Sequence, residues 1–167
     1  MAATEPQSTR APRKTVVGLV TSDNPWYFDK KKSKTVAAPD PDVYPEAKPF
    51  RDVFVFFHEQ EKRWWMLCEA RTRARSVQVA LLKAEQLEGP WTSVPALYTQ
   101  PEDGNKLSQF VSCPQIIQHT GTWYLTYLSN ATSYHVADNP SGPWGQRKGQ
   151  YNSHFLSAGS RSGTDGT

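Results

Sequence analysis

Short hydrophobic runs separated by polar turns recur along most of this chain. They predict strands at 16–20, 53–57, 64–70, 77–82, 116–117, 123–129 and 133–137. The continuous apolar run 53–57 is typical of a strand that is buried on both faces. No long stretch keeps apolar residues at the three- and four-residue spacing of an amphipathic helix. The pattern therefore predicts an all-β protein, with the polar, Lys- and Pro-rich stretch 29–49 as a long loop.

A three-residue turn motif occurs twice. Gly89-Pro90-Trp91 recurs as Gly142-Pro143-Trp144, each time after a short strand and a polar turn. A weaker third copy runs from Val16 to Trp26, because its Asp23-Asn24-Pro25 is similar to Asp138-Asn139-Pro140. This recurrence predicts repeated structural units.

The predicted hairpins repeat as well. The hairpin that opens with Phe50-Arg51-Asp52 is paralleled by one that opens with Phe110-Val111-Ser112. The alignment predicts that Asp52 and Ser112 take the same position in successive units, near a common axis. Antiparallel units of this length are typical of β-propeller blades. An all-β sandwich is the alternative, but it would not need the repeated Gly-Pro-Trp.

The length of 167 residues fits one domain. We expect residues 1–14 to be disordered, residues 15–156 to form a partial β-propeller, and residues 157–167 to be a flexible tail. The propeller part would contain the tail of one blade, two nearly complete blades, and the start of another at 151–159.

The net charge and the hydrophobic pattern exclude some classes of partner. The net charge of +3 is too small and scattered to indicate a nucleic-acid partner. No apolar stretch approaches the roughly 18 residues of a membrane helix, so we expect no membrane partner. The run 30–34 is typical of a solvated loop, with a phosphate-binding patch as the alternative. Without an apolar signal segment, the chain as written is expected to be cytoplasmic.

Dispersed cysteines and histidines give no sign of a metal or other cofactor. Cys68 and Cys113 lie in apolar runs, which predicts buried free thiols rather than a disulfide. His58 and His119 fall in hairpin tips and are expected to be exposed, while His135 and His154 lie apart from them.

Two further groups of side chains have structural interpretations. Glu69 lies near several arginines, which favours an ion-pair network over catalysis; these are Arg71, Arg73 and Arg75. Five tryptophans are expected to pack between blades, although one or two of them are candidates for stacking on a sugar. These are Trp64, Trp65, Trp91, Trp123 and Trp144.

The ordered combination of motifs resembles a known family. Phe50-Arg51-Asp52 opens an aromatic strand, Ser112-Cys113-Pro114 precedes a Gly-Thr-Trp-Tyr hairpin, and the turn 137–144 ends in Gly-Pro-Trp. Together they resemble the invertase and β-fructosidase glycoside hydrolases of family 32, which are five-bladed β-propellers. The arabinanase and xylosidase propellers are a second choice. The resemblance covers roughly residues 15–145 and implies about two and a half blades of antiparallel four-stranded sheets.

The resemblance also implies roles for individual residues. Members of that family retain configuration with a nucleophilic Asp and an acid/base Glu, which must lie about 5 Å apart. The Asp of their Arg-Asp-Pro motif binds sugar hydroxyls and stabilises the transition state. Arg51 and Asp52 match this pair, although Val53 replaces the Pro. The resemblance therefore implies that Asp52 is the transition-state stabiliser and that both residues bind substrate.

The remaining catalytic motifs match less well. Cys113 and Pro114 match the family's Glu-Cys-Pro, but Ser112 stands where the acid/base Glu belongs. A serine hydroxyl is too weak an acid to serve as the proton donor. The resemblance thus leaves Ser112 and Cys113 as substrate-binding residues. The family's nucleophile motif, Trp-x-Asn-Asp-Pro, has no match.

The expected function is that of a β-fructosidase-like protein acting on O-glycosyl bonds, with an oligosaccharide or fructoside as substrate and little activity from this chain alone. A non-catalytic carbohydrate-binding or interaction protein is the first alternative. The other is an active glycosidase whose remaining blades lie on a longer product or another chain. An incomplete propeller exposes strand edges, which also favours self-association.

Overall fold

Three antiparallel β-sheets make up the protein in a computed structural model that describes residues 15–45, 49–71, 77–100, 111–129 and 132–145. The first sheet pairs β1 (Val17–Leu19) with β2 (Lys34–Ala37). In the second sheet, four strands follow one another in chain order: β3 (Phe50–His58), β4 (Arg63–Arg71), β5 (Val77–Ala84) and β6 (Thr92–Thr99). The third sheet does the same with β7 (Ser112–His119), β8 (Thr122–Leu128) and β9 (Thr132–Ala137). The prediction of an all-β fold is confirmed.

Two strands, β2 and β6, were not predicted from the sequence. The loop expected at 29–49 contains one turn of 3-10 helix at Lys30–Lys32 and then the four-residue strand β2, which begins with two exposed polar residues and ends with the buried Ala37. β6 contains Pro95, which argues against a regular strand. Its pairing with β5 is irregular between Val79 and Leu81, and this break allows the proline to lie in the strand.

The strand that is buried on both faces is β4, and not the predicted run 53–57. The run 53–57 lies in β3, an edge strand of its sheet, where Val53 and Phe57 are exposed. β4 is instead buried on both faces, because it lies inside the second sheet and a sheet packs against each side. Trp65 belongs to the core on one side of β4 and Met66 to the core on the other.

Two apolar cores hold the three sheets together. The larger core lies between the second and third sheets and the other between the first and second. Each fully buried large side chain contributes roughly 1.5–3 kcal/mol. Tyr44 joins the loop after β2 to the second sheet: its hydroxyl donates to the Val94 carbonyl and accepts from the Leu81 N–H at 2.9 Å. Burial raises the pKa of Tyr44 to about 12.

The two Gly-Pro-Trp motifs adopt the same geometry. Gly89 and Gly142 have φ of +90° and +87°, and both glycine–proline bonds are cis. A side chain would not fit at Gly142, where a Cβ would lie 2.9 Å from the Trp144 backbone nitrogen. Trp91 packs on the core between the first and second sheets, and Trp144 on the other core. The predicted turn repeat and the packing role of these tryptophans are confirmed.

The prediction of a third copy of that motif, from Val16 to Trp26, is only partly confirmed. Asn24 and Asn139 do form the same turn: each side-chain oxygen accepts a backbone N–H two residues later, at 2.9 Å. Trp26, however, is 94% exposed and packs in neither core. The similarity therefore ends with the turn.

Several predictions concern residues outside the described ranges. These are the disordered segment 1–14, the blade start at 151–159, the tail 157–167, and the side chains of Arg73, Arg75 and His154. Within the described ranges, no helix is long and apolar enough to cross a membrane.

Candidate active site

The first strands of the second and third sheets each contain a bulge near their start. Asp52 and Cys113 have left-handed backbone conformations, with φ of 57° and 49°. Regular pairing with the next strand is interrupted between Arg51 and Phe54 in β3, and between Ser112 and Gln115 in β7. A bulge of this kind redirects the side chains beside it, and bulges are common next to active sites.

The bulges correct the predicted register of the repeat. Asp52 corresponds to Cys113 and not to Ser112, because these two residues share the left-handed conformation. Ser112 corresponds instead to Arg51, the residue before the bulge. The two sequences were misaligned by one position because Phe50 was matched to Phe110. In the structure, the buried residue before the bulge is Phe50 in one strand and Val111 in the other.

A buried carboxylate joins the two bulges. Glu69 on β4 has no exposed side-chain surface, and its Oε2 accepts hydrogen bonds from Arg51 Nε at 3.1 Å and from the Ser112 hydroxyl at 2.8 Å. Its Oε1 lies 3.6 Å from Arg71 Nε, which is an ion pair rather than a hydrogen bond. These partners offset the cost of burying the carboxylate. Glu69 in turn raises the pKa of the Arg51 guanidinium.

Asp52 lies beside this network and remains open to solvent. Its side chain is 28% exposed, and Oδ2 accepts the Cys113 backbone N–H at 3.3 Å. The same oxygen lies 3.9 Å from Arg51 Nε, and the Arg51 side chain is 57% exposed. Arg51 therefore stands between two carboxylates and offers its remaining N–H groups, next to an accessible carboxylate, to a ligand.

An apolar groove of about 380 Å³ adjoins Arg51 between the first and second sheets. This volume falls within the range of small-molecule sites. Its lining includes Val17, Leu19, Val55, Met66 and Trp91. The groove therefore offers an apolar surface that includes one tryptophan next to Arg51.

The two cysteines differ in environment. Cys68 is buried as predicted, and burial raises the pKa of its thiol to about 12. Cys113 is exposed, which contradicts the predicted burial, because the bulge turns it away from the core. Desolvation and the Asp52 carboxylate raise the pKa of the Cys113 thiol. Both thiols are therefore protonated at neutral pH and are poor nucleophiles.

The role of Glu69 was underestimated from the sequence. Its predicted ion pair with Arg71 is confirmed, but its contacts with Arg51 and Ser112 place it inside the site. The available signal was a lone acidic residue within the otherwise apolar run 64–70, since a buried charge requires partners.

The histidines lie outside this site. His119 is exposed as predicted. His58 is buried, contrary to the prediction, because its ring stacks on Trp65 with centroids 4.4 Å apart and its Nδ1 accepts the Glu61 N–H. In the ranges that the structure covers, no group of three or more His, Cys, Asp or Glu side chains is arranged to hold a metal ion.

The structural comparisons concern the fold. Neither a protein-family model nor a curated protein sequence matches the chain. A thermostable family-43 glycoside hydrolase is similar in structure, with a TM-score of 0.57, 18% identity, and coverage of 80% of this chain and 46% of that one. The inulosucrase of Halalkalicoccus jeotgali, solved with kestose, has a TM-score of 0.56 and 17% identity, with 76% and 39% covered.

A third similar structure is Zg3597, a family 117 glycoside hydrolase of Zobellia galactanivorans, with a TM-score of 0.54, 20% identity, and coverage of 70% and 37%. The chain thus spans less than half the length of each of these three proteins. Its fold is a partial β-propeller of the type found in these glycoside hydrolases.

Proposed function

We propose that the Arg51–Asp52 site binds carbohydrate as part of a propeller that acts on O-glycosyl bonds. One observation carries this proposal: an accessible carboxylate and an accessible guanidinium lie side by side on a strand bulge. Sugars present adjacent hydroxyl groups, each of which can donate and accept hydrogen bonds. A carboxylate and a guanidinium complement such a pair, and hydrogen bonds to charged groups are the stronger ones.

Each residue has a distinct task in this proposal. Asp52 accepts hydrogen bonds from sugar hydroxyls, and Arg51 donates to a neighbouring oxygen. Glu69 is a positioning residue that fixes Arg51 through the 3.1 Å hydrogen bond. Ser112 holds Glu69 from the third sheet, and the Cys113 N–H holds the Asp52 carboxylate. The site thus depends on contact between two sheets.

A fructosyl unit is the ligand that we propose for this site. The Arg51–Asp52 pair supports this ligand, because it resembles the Arg-Asp pair of the β-fructosidases. By that resemblance, Asp52 would stabilise the transition state. The fold shared with an inulosucrase solved with kestose is compatible with it. Kestose is accordingly the first ligand to test.

Hydrolysis needs groups that the described site does not offer. A retaining glycosidase requires a nucleophile and a proton donor on either side of the scissile bond. Ser112 cannot donate a proton at neutral pH, and Glu69 has no exposed surface from which to reach a ligand. We therefore propose that this chain binds the sugar without turnover, and that catalysis needs groups from further blades.

The experiment is a calorimetric titration of the 167-residue chain with kestose, alongside an assay for released reducing sugar. We expect binding without hydrolysis. Asp52→Asn should weaken binding about 10- to 100-fold, because it removes hydrogen bonds to a charged acceptor.

The matched control is Asp138→Asn, since Asp138 lies in an exposed turn away from the site. It should bind kestose like the wild type. Equal binding by the Asp52→Asn variant would refute the proposed site, and tighter binding of xylotriose than of kestose would refute the fructosyl assignment.

A further inference from the structure

Three consecutive aromatic side chains stand exposed in the loop between β1 and β2. Trp26 is 94% exposed, Tyr27 65% and Phe28 51%. By contrast, Phe50 and Trp65 are fully buried. Exposing so much apolar surface in one place is unfavourable in water, and such patches commonly mark a binding surface.

The backbone under these rings is held by local hydrogen bonds. The Asn24 side chain accepts the Trp26 N–H at 2.9 Å, and the Asn24 carbonyl accepts the Tyr27 N–H at 3.2 Å. On the other side, the Asp29 side chain accepts the Lys31 N–H at 3.0 Å. The aromatic side chains therefore project from an ordered segment, which lowers the entropy cost of binding a ligand.

Four exposed lysines follow the aromatic residues, separated from them by Asp29. They are Lys30, Lys31, Lys32 and Lys34. None of them forms an ion pair with another described residue. The nearest acidic residue in the sequence, Asp29, uses its side chain to cap the 3-10 turn. The segment 26–34, which we call the aromatic–lysine loop, thus combines free ring faces with an excess of positive charge, because its lysines outnumber its single acidic residue, Asp29.

We propose that the aromatic–lysine loop binds an acidic polysaccharide, separately from the Arg51–Asp52 site. Aromatic ring faces stack on the C–H faces of sugar rings, and the lysines attract carboxylate or sulfate groups along the polymer. The charge favours an anionic ligand over a neutral one. The choice of a polysaccharide among anionic polymers rests on the proposed carbohydrate function of this fold.

The loop would hold the protein on its polymer while the other site engages an individual sugar unit. Because several lysines act together, binding should weaken steeply with added salt. A neutral polymer offers no partner to the lysines, so it should bind weakly at any salt concentration.

The test is co-sedimentation of the full chain with insoluble polygalacturonate and, in parallel, with neutral inulin. The wild type should bind polygalacturonate at low salt and inulin at least tenfold more weakly. Trp26→Ala should weaken polygalacturonate binding at least fivefold. Replacing Lys30, Lys31 and Lys32 together by Gln should weaken it at least tenfold and flatten its salt dependence. Lys62→Gln is the control, because Lys62 is an exposed lysine outside the loop, in the turn between β3 and β4.

Two outcomes would overturn the proposal. One is unchanged polygalacturonate binding by both loop variants. The other is tighter binding of phosphatidylserine vesicles or single-stranded DNA than of polygalacturonate, which would assign the loop to a membrane or a nucleic acid. The two sites can be tested separately: Trp26→Ala should bind kestose like the wild type, and loss of kestose binding in Asp52→Asn should leave polygalacturonate binding intact.

Discussion

The second and third sheets follow the same backbone plan but carry different side chains at equivalent positions. Both begin with a bulge in the first strand and carry a Gly-Pro-Trp turn after the third strand. In the second sheet, Arg51 pairs across the strands with Glu69, whereas in the third sheet Ser112 pairs with Leu128. The repeated backbone supplies two similar positions, and only one of them carries charge.

The two sheets also differ in burial. The second sheet is covered on both faces by its neighbours. The third sheet packs one face against the second, while Ile117 and Leu128 remain exposed on the other face. Trp65 in the second sheet and Tyr124 in the third occupy equivalent positions, one fully buried and one half-buried. Equivalent substitutions should therefore have unequal costs.

The largest predicted difference in the free energy of unfolding is between variants of Trp65 and Tyr124. Trp65→Ala should lower the free energy of unfolding by about 4 kcal/mol, because it leaves a cavity between two sheets. Tyr124→Ala should cost only about 1 kcal/mol, since the side chain is already partly solvated. Urea unfolding followed by far-ultraviolet circular dichroism measures both values. Equal losses would mean that the open face of the third sheet is covered in solution.

The second effect concerns Glu69 and its counterpart Leu128. Glu69→Ala should cost about 3 kcal/mol, because it removes the shared partner of Arg51, Arg71 and Ser112. Leu128→Ala should cost less than about 1 kcal/mol, because Leu128 is exposed. The measurement is again urea unfolding, with kestose titration of the folded Glu69→Ala variant.

That variant also tests the positioning role of Glu69. Without the carboxylate, Arg51 is free to move, so kestose affinity should fall although Glu69 itself touches no ligand. Glu69→Gln should restore part of the affinity, because the amide oxygen can still accept from Arg51 Nε. Unchanged affinity in Glu69→Ala would leave Glu69 with a purely structural role.

Patterns that depend on local chemistry were readable from the sequence. The Gly-Pro-Trp turns and most strands were predicted, because turn residues and apolar runs act over a few positions. β2 and β6 were missed, since one is only four residues long and half polar and the other contains Pro95. Their pairing is decided by neighbouring strands that local pattern does not reveal.

The site was harder to predict than the fold. Arg51 and Asp52 stood out as charges at the start of an apolar strand, and their side chains are accessible in the structure. The predicted equivalence of Asp52 and Ser112 was wrong by one residue, because matching Phe50 to Phe110 misaligned the two strands and the bulges that define the true register have no sequence signal of their own. The contact between Glu69 and Ser112 joins two sheets, which sequence spacing cannot show.

The smallest predicted effect concerns pH and the third sheet alone. His135 on β9 is buried against Tyr98 and Tyr127, and its Nε2 lies 2.9 Å from the Tyr127 hydroxyl. Burial lowers the pKa of His135. The unfolded chain then binds more protons than the native protein at pH values between this lowered pKa and about 6.5. Above that range, the contribution of His135 to stability is fully present. As the pH decreases through the range, the protein becomes less stable, and its unfolding equilibrium constant should rise by less than a factor of ten per pH unit.

Leu82 in the second sheet is the residue equivalent to His135. The His135→Leu variant therefore gives the two sheets the same residue at this position. At neutral pH this variant should lose about 1 kcal/mol, because the Tyr127 hydroxyl loses its hydrogen bond to the imidazole. Its stability should then decline less than that of the wild type between pH 6.5 and 5. His119→Gln, on the exposed hairpin tip, should keep the wild-type decline. If His135→Leu declines as steeply as the wild type, other groups cause the acid sensitivity, and the two sheets do not differ in this respect.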